Sequence, residues 1–195
     1  MLRYRDDVCC PALALEVPPG IVYFVVRFCK ASILDPKASV SRSSMIEIRK
    51  ADTKDIPDVA AVFIASQADA LPYVAKLHTP EETLRFIADN VFVTCEVWVA
   101  MEADRIIGMM AINRSHIDHL YLQPGFYRRG IGTKLLNHAK RCRPTGLTLY
   151  AFQENVRACT FYRNHGFREL ERGDGSDNEA GRPDILFEWK PEVAH

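Results

Sequence analysis

Residues 127–136, YRRGIGTKLL, limit what this chain can fold into more than any other stretch. Leu135, Leu136, Ala139 and Cys142 recur at helical spacing, so a helix runs from about Gly130 to Arg143 and stops at Pro144. Glycines cost backbone entropy and lower helix propensity, so a Gly-Ile-Gly at the start of that helix calls for compensation. An anion supplies it. The first amides of a helix have no carbonyl to bond, glycines let an anion approach the main chain, and the helix end adds partial positive charge. Arg128 and Arg129 stand at the rim, where they can reach phosphate oxygens. The stretch is neither of the two better-known phosphate loops. Thr133 follows Gly132 where a Walker loop needs Lys, and Leu135 stands where a dinucleotide fingerprint needs a third glycine.

Charge is unevenly spread along a neutral chain, with 25 basic and 25 acidic residues in all. Residues 127–143 hold six Lys and Arg and no carboxylate, whereas 169–192 hold eight carboxylates against Arg172, Arg182 and Lys190. One segment suits an anion and the other a cation, and the overall balance argues against a nucleic-acid or membrane-surface protein. The six cysteines form no C-x-x-C and no zinc set, so no metal site is expected, and they read as reduced thiols of a cytoplasmic protein. The apolar run GIVYFVVRFC (20–29) is too short to span a bilayer, and Asp6 and Asp7 spoil the basic start of a signal peptide. Regular patterning begins at Met45. Residues 1–44 are therefore expected to be a loose extension or the product of a start codon placed too far upstream, with the folded domain over 45–192.

Along that domain the element order reads β α α β β β α β α β β. IEIRKA (46–51) alternates as a strand. The next stretch places Ile56, Val59, Ala60, Phe63 and Ile64 on one helical stripe, and TPEETLRFIADNVF has a Thr cap with Pro at the first helical position. CEVWVAME and RIIGMMAIN form a hairpin, and HIDHLYL is a strand closed by Pro124-Gly125. After the 130–143 helix come the strand GLTLYAF, the helix ENVRACTFYRNHG, and the strands FRELER and DILFEWK around an acidic loop, 173–183. This is a single α/β domain, one layer of mixed sheet with helices on it.

Strand, Pro-Gly, YRRGIGTKLL, strand and then ENVRACTFYRNHGF resembles the acetyl-CoA-dependent N-acetyltransferases of the GNAT superfamily, over roughly residues 46 to 190. Tyr127-Arg128-Arg129-Gly130-Ile131-Gly132 fills the family's pyrophosphate signature Gln/Arg-x-x-Gly-x-Gly/Ala, except that Tyr127 stands where Gln or Arg is usual. Asn155, Ala158, Phe161-Tyr162 and Gly166-Phe167 fit its N..A..FY...GF segment. The resemblance implies the acyl-CoA N-acyltransferase fold, α/β (mixed α+β), with a mostly antiparallel sheet splayed around acetyl-CoA between the strand before the loop and the strand after its helix. It implies that Leu120, Tyr121 and Leu122 bond the pantetheine arm through their main chain. A backbone N–H near Leu120 or Tyr121 would then stabilise charge developing on the acetyl oxygen. Arg128, Arg129, Gly130, Ile131, Gly132 and Thr133 would grip the diphosphate.

By the same resemblance Tyr162 protonates the leaving thiolate, and Asn155 bonds the pantetheine amide, caps its helix, or both. Simple alternation puts His116 and Asp118 on one face of HIDHLYL and His119 on the other. His116 and Asp118 are candidates for the base that takes the amine's proton, with water as the alternative. The implied reaction is acetyl transfer to a primary amine in a ternary complex, and a homodimer is compatible with it. A catalytically silent CoA-binding or protein-interaction module on the same fold is the competing reading, and the hydroxyl of Tyr162 speaks against it. The resemblance implies that the 71–78 segment walls the acceptor side of the cleft and that the 173–183 loop ends near the same side, so the loop's Asp174, Asp177 and Glu179 favour a cationic amine.

Overall fold

The computed structural model describes residues 45–72 and 77–192. The expected extension over 1–44 lies outside the described residues, as does the middle of the 71–78 segment. Among the described residues seven strands form one sheet in the order β1-β2-β3-β4-β5-β7-β6. They are β1 (Ile46–Lys50), β2 (Glu96–Glu102), β3 (Arg105–Asn113), β4 (His116–Leu122), β5 (Leu147–Phe152), β6 (Arg168–Gly173) and β7 (Asp184–Trp189). All neighbours pair antiparallel except β4 and β5, which are parallel. The helices are α1 (Ile56–Ala70), α2 (Pro80–Phe86), α3 (Phe92–Thr94), α4 (Ile131–Cys142) and α5 (Val156–Asn164). Among the described residues no helix is long and apolar enough to cross a membrane.

Alternation along the strands builds a core on each face of the sheet. Ile107, Met110 and Ile112 of β3 pack with Leu135, Leu136 and Ala139 of α4, Tyr162 of α5 and Phe187 of β7. Ile106, Met109 and Ala111 of β3 turn the other way, onto Val59 and Phe63 of α1 and onto Ile87 and Val91. With apolar side chains on both faces, β3 is buried almost throughout and takes the middle of the antiparallel half.

The local signals hold where they are strong. Thr79 and Glu82 form a reciprocal capping box at the start of α2, with Pro80 at the first position. The expected single helix over 79–92 is instead α2, a π-helical stretch Ile87–Val91, and α3. The wider turn seats both Ile87 and Val91 fully in the core.

The connection from β1 to α1 is held by a buried carboxylate. Asp55 accepts two hydrogen bonds from the Arg49 guanidinium, at 2.6 and 2.8 Å, and a third from the Asp52 backbone N–H at 2.9 Å. The Arg49 hydrogen bond, opposed by burial and helped by the Asp52 amide, holds the carboxyl at about 2. The folded pKa lies below the unfolded one, so the stabilisation is complete above about pH 4 and lost as pH falls toward 2. It is worth about 2 kcal/mol by linkage. Asp55→Asn is therefore expected to flatten the fall in unfolding free energy between pH 5 and pH 2.5. An unchanged slope would locate the acid sensitivity elsewhere.

Candidate active site

The sheet opens where β4 meets β5. Their parallel pairing is confined to His116↔Thr148 and Ile117↔Leu149. Beyond it, β4 stays bonded only to β3 as far as Leu122, and β5 only to β7 as far as Phe152. The β4 edge from Asp118 onward thus faces a slot with no strand opposite. Leu120 and Leu122 turn their side chains to the α4 side and Tyr121 turns to the α1 side, so what these residues offer the slot is main chain.

At the mouth of the slot the chain turns at Pro124-Gly125 and enters α4. Arg128 and Gly130 both have left-handed backbone, φ 61° and 76°. Gly130 tolerates this freely, whereas a side chain there costs on the order of 1 kcal/mol, and Arg128 bears that strain. The first helical bond is Lys134 N–H to Gly130 O at 3.0 Å, so the amides of Ile131, Gly132 and Thr133 precede any intrahelical acceptor. Gly130 places no side-chain cap over them, and the first turn holds no acid. Uncapped amides at the positive end of a helix make an anion cradle.

The side chains of the loop have other tasks. Arg129 pairs with Glu102 at the end of β2 and lies over the Phe126 ring, so Arg128 is the loop arginine without an ion pair among the described residues. Thr133 Oγ1 lies 3.0 Å from His165 Nε2, and His165 Nδ1 lies 2.7 Å from the Phe161 carbonyl. A carbonyl only accepts, so Nδ1 donates to it, and in the neutral ring Nε2 accepts from the Thr133 hydroxyl. Ile131 is core. Gly132 faces inward too: a Cβ there would lie 3.3 Å from Phe161 Cζ. Its smallness lets α4 pack on α5, while its backbone N–H stays among the amides at the helix start.

Tyr162 projects from α5 with its ring held by Phe161, Phe167 and Phe187 at 5.3, 5.7 and 5.9 Å. Burial pushes its phenol well above the ordinary value, and neighbouring Tyr121 and Cys159 add to the rise. The Tyr121 phenol is also raised by burial, partly offset by a hydrogen bond with Gln67 of α1. Asn155 caps α5, accepting from the Ala158 N–H at 3.1 Å.

A bulge alters the face assignment on β4. Ala111 pairs with His119 and Ile112 with Ile117, so Asp118 is an extra residue and the alternation slips by one. Ile117 packs in the α4-side core, and His119 lies among Phe63, Phe86 and Tyr121 on the α1 side at 5.3, 5.9 and 6.0 Å. His116 Nδ1 lies 2.8 Å from Thr148 Oγ1, and its ring lies 5.5 Å from Tyr150. Thr148 and Tyr150 alternate with the α4-side Leu147 and Leu149, so His116 is on the α1 side as well. The expectation that His119 points away from His116 is therefore wrong, because a bulge carries no composition that reveals it. Burial pushes His119 down to about 4 and lowers His116, with Asp118 opposing both shifts. Asp118 is exposed and accepts from Cys95 Sγ at 3.3 Å. Burial lifts that thiol to about 11, so it is no nucleophile at neutral pH.

The two loops expected around the acceptor do meet. His78 Nε2 lies 3.1 Å from Glu179 Oε1, joining the segment before α2 to the β6–β7 loop. Arg182, the only Lys or Arg of that loop, pairs with Glu154 at 3.1 Å.

Comparison with known proteins agrees with this geometry. Residues 94–169, from the end of α3 into β6, match the family model for the acetyltransferase (GNAT) domain. Over 140 residues the chain is 27% identical to the peptidyl-lysine N-acetyltransferase YjaB of Salmonella typhimurium, covering 71% of this chain and 93% of that one. The Escherichia coli protein of the same name is 26% identical over 140 residues, covering 71% and 92%. The same fold is found in the solution structure of apo YjaB from Escherichia coli, with a TM-score of 0.63 at 23% identity, covering 74% of this chain and 97% of that one. It is found again in the PaiA N-acetyltransferase of Thermoplasma acidophilum in complex with coenzyme A, with a TM-score of 0.62 at 23% identity, covering 75% and 99%. The domain match spans the slot, the loop and the α5 tyrosine, and together with the relatives it supports an acyltransferase of the GNAT type.

Proposed function

We propose that this enzyme transfers the acetyl group of acetyl-CoA to a cationic primary amine, by direct attack with both substrates bound. The observation that carries the reading is the opening of the sheet after Ile117↔Leu149, with uncapped α4 amides at the start of the following helix and the Tyr162 phenol near Tyr121 of β4. An extended amide-bearing arm fits the unpaired β4 edge, and a diphosphate fits the amides of Ile131, Gly132 and Thr133. Coenzyme A is the ligand of a protein of this fold.

Each residue then has a task. The amides of α4 and the Arg128 side chain hold the diphosphate, and this remote binding positions the thioester. The β4 main chain at Leu120 to Leu122 aligns the arm and supplies an N–H to the acetyl oxygen. The Tyr162 hydroxyl donates its proton to the departing sulfur. On the α1 side the amine meets Phe63, Phe86 and His119. Surroundings that hold His119 at about 4 disfavour any positive charge, so they also lower the pKa of an entering ammonium. His116 and Asp118, or water, take the proton released.

Support for a cationic acceptor comes from the loop over 174–183. It carries Asp174, Asp177 and Glu179, and its single basic residue is paired with Glu154. A lysine side chain is such an amine, and it is the acceptor named for the relatives. Thiol release from acetyl-CoA against a panel of amines tests the activity directly. A lysine-containing peptide is expected to show a higher kcat/KM than a neutral amine at low salt, with the advantage shrinking at high salt as the carboxylates are screened. An equal response of the two amines to salt would rule out steering.

A further inference from the structure

We infer that Arg157 of α5, seated on the ring of Tyr127, is a binding residue for the diphosphate of the coenzyme A carrier. It supplies from a second helix the contact that Tyr127 cannot make from the loop. The inference rests on the reading of the α4 start as the diphosphate cradle.

Three observations converge on this residue. The Arg157 guanidinium lies 5.5 Å from the centre of the Tyr127 ring, within the range of a cation–π contact. Tyr127 is the residue immediately before Arg128, so this contact brings the cation to the same loop that opens α4. Arg157 is also the second residue of α5 and exposed, at the positive end of that helix, where a cation is unfavourable. Finally, no carboxylate offsets it. Among the described residues Arg157 has no ion pair, and Glu154, the acid nearest in sequence, is taken by Arg182. The first turn of α5 holds no acid.

Tyr127 is built as a platform and not as a ligand. Its hydroxyl is buried beside Ser66 and Asp69 of α1 without a hydrogen bond of good geometry. Burial raises that phenol, and the nearby Arg157 charge works against the rise. The hydroxyl is therefore turned inward while the ring face carries the arginine. Of the two arginines the loop itself provides, Arg129 is drawn off to Glu102. An anion in the α4 cradle would thus meet Arg128 from the loop and Arg157 from α5.

Calorimetry with coenzyme A and with phosphate-free pantetheine tests this. Arg157→Gln is expected to weaken coenzyme A about tenfold and to reduce the salt dependence of binding, leaving pantetheine unchanged. Tyr127→Phe keeps the ring and should bind as wild type, whereas Tyr127→Leu should reproduce the Arg157→Gln loss and add little to it in the double variant. A purely structural role would lower the melting temperature and weaken both ligands together. Wild-type affinity of Arg157→Gln for coenzyme A would overturn the inference while leaving the cradle intact. Failure of the wild-type protein to bind coenzyme A at all would overturn the cradle and the inference with it.

Discussion

Tyr162→Phe is expected to lower kcat about 100- to 1,000-fold while changing the KM for acetyl-CoA by less than about twofold. The substitution removes one oxygen and leaves the packing on Phe161, Phe167 and Phe187 in place. Its effect therefore falls on the transition state, where the proton moves to sulfur, and not on binding. Stability should stay within about 0.5 kcal/mol of wild type, since no cavity large enough to matter is created. Burial already keeps the phenol protonated beyond its ordinary pKa of 10.0, so its proton is present across the neutral range. Any fall of activity between pH 8 and pH 10 then belongs to another group. Steady-state kinetics of the variant decide the matter, and a kcat within a few fold of wild type would remove Tyr162 from the mechanism.

Gly132→Val is expected to cost about 3 kcal/mol of stability and to weaken coenzyme A binding by more than tenfold. A Cβ at this position would lie 3.3 and 3.5 Å from Phe161 Cζ and Cε2 and 3.7 Å from Leu122 Cδ1. The two further methyls of valine would meet the same wall. Phe161 has little room to retreat, because its ring lies 4.3 Å from that of His165, which in turn holds Thr133. Relief must come from moving the start of α4 away from α5 and β4, and the amides of the anion cradle move with it. Gly132→Ala should be near neutral, as one tight contact is offset by about 1 kcal/mol of helix propensity. Denaturant unfolding beside calorimetry separates the two effects. A valine variant as stable as wild type would show that this face of α4 has room to spare.

The difference between Gly130 and Gly132 shows how far the sequence reaches. By itself it determined what depends on neighbours in the chain. Apolar period sets the strands and helices, Thr79 with Glu82 starts α2, and the glycine pair before an amphipathic run opens α4. Those patterns also carried the family resemblance, because the loop and the α5 tyrosine are short motifs with a fixed order. Tertiary structure alone decided which partners meet across long separations. It took Arg129 to Glu102, set Arg157 on Tyr127, turned Gly132 inward against Phe161, and joined His78 to Glu179. It also decided the face of His119. A bulge at Asp118 arises from the register between β3 and β4, which is a property of two strands together. Local patterning reflects the energy of each segment on its own. Pairing, register and ion-pair choice reflect the energy of segments in contact, and that is defined only once the chain has folded.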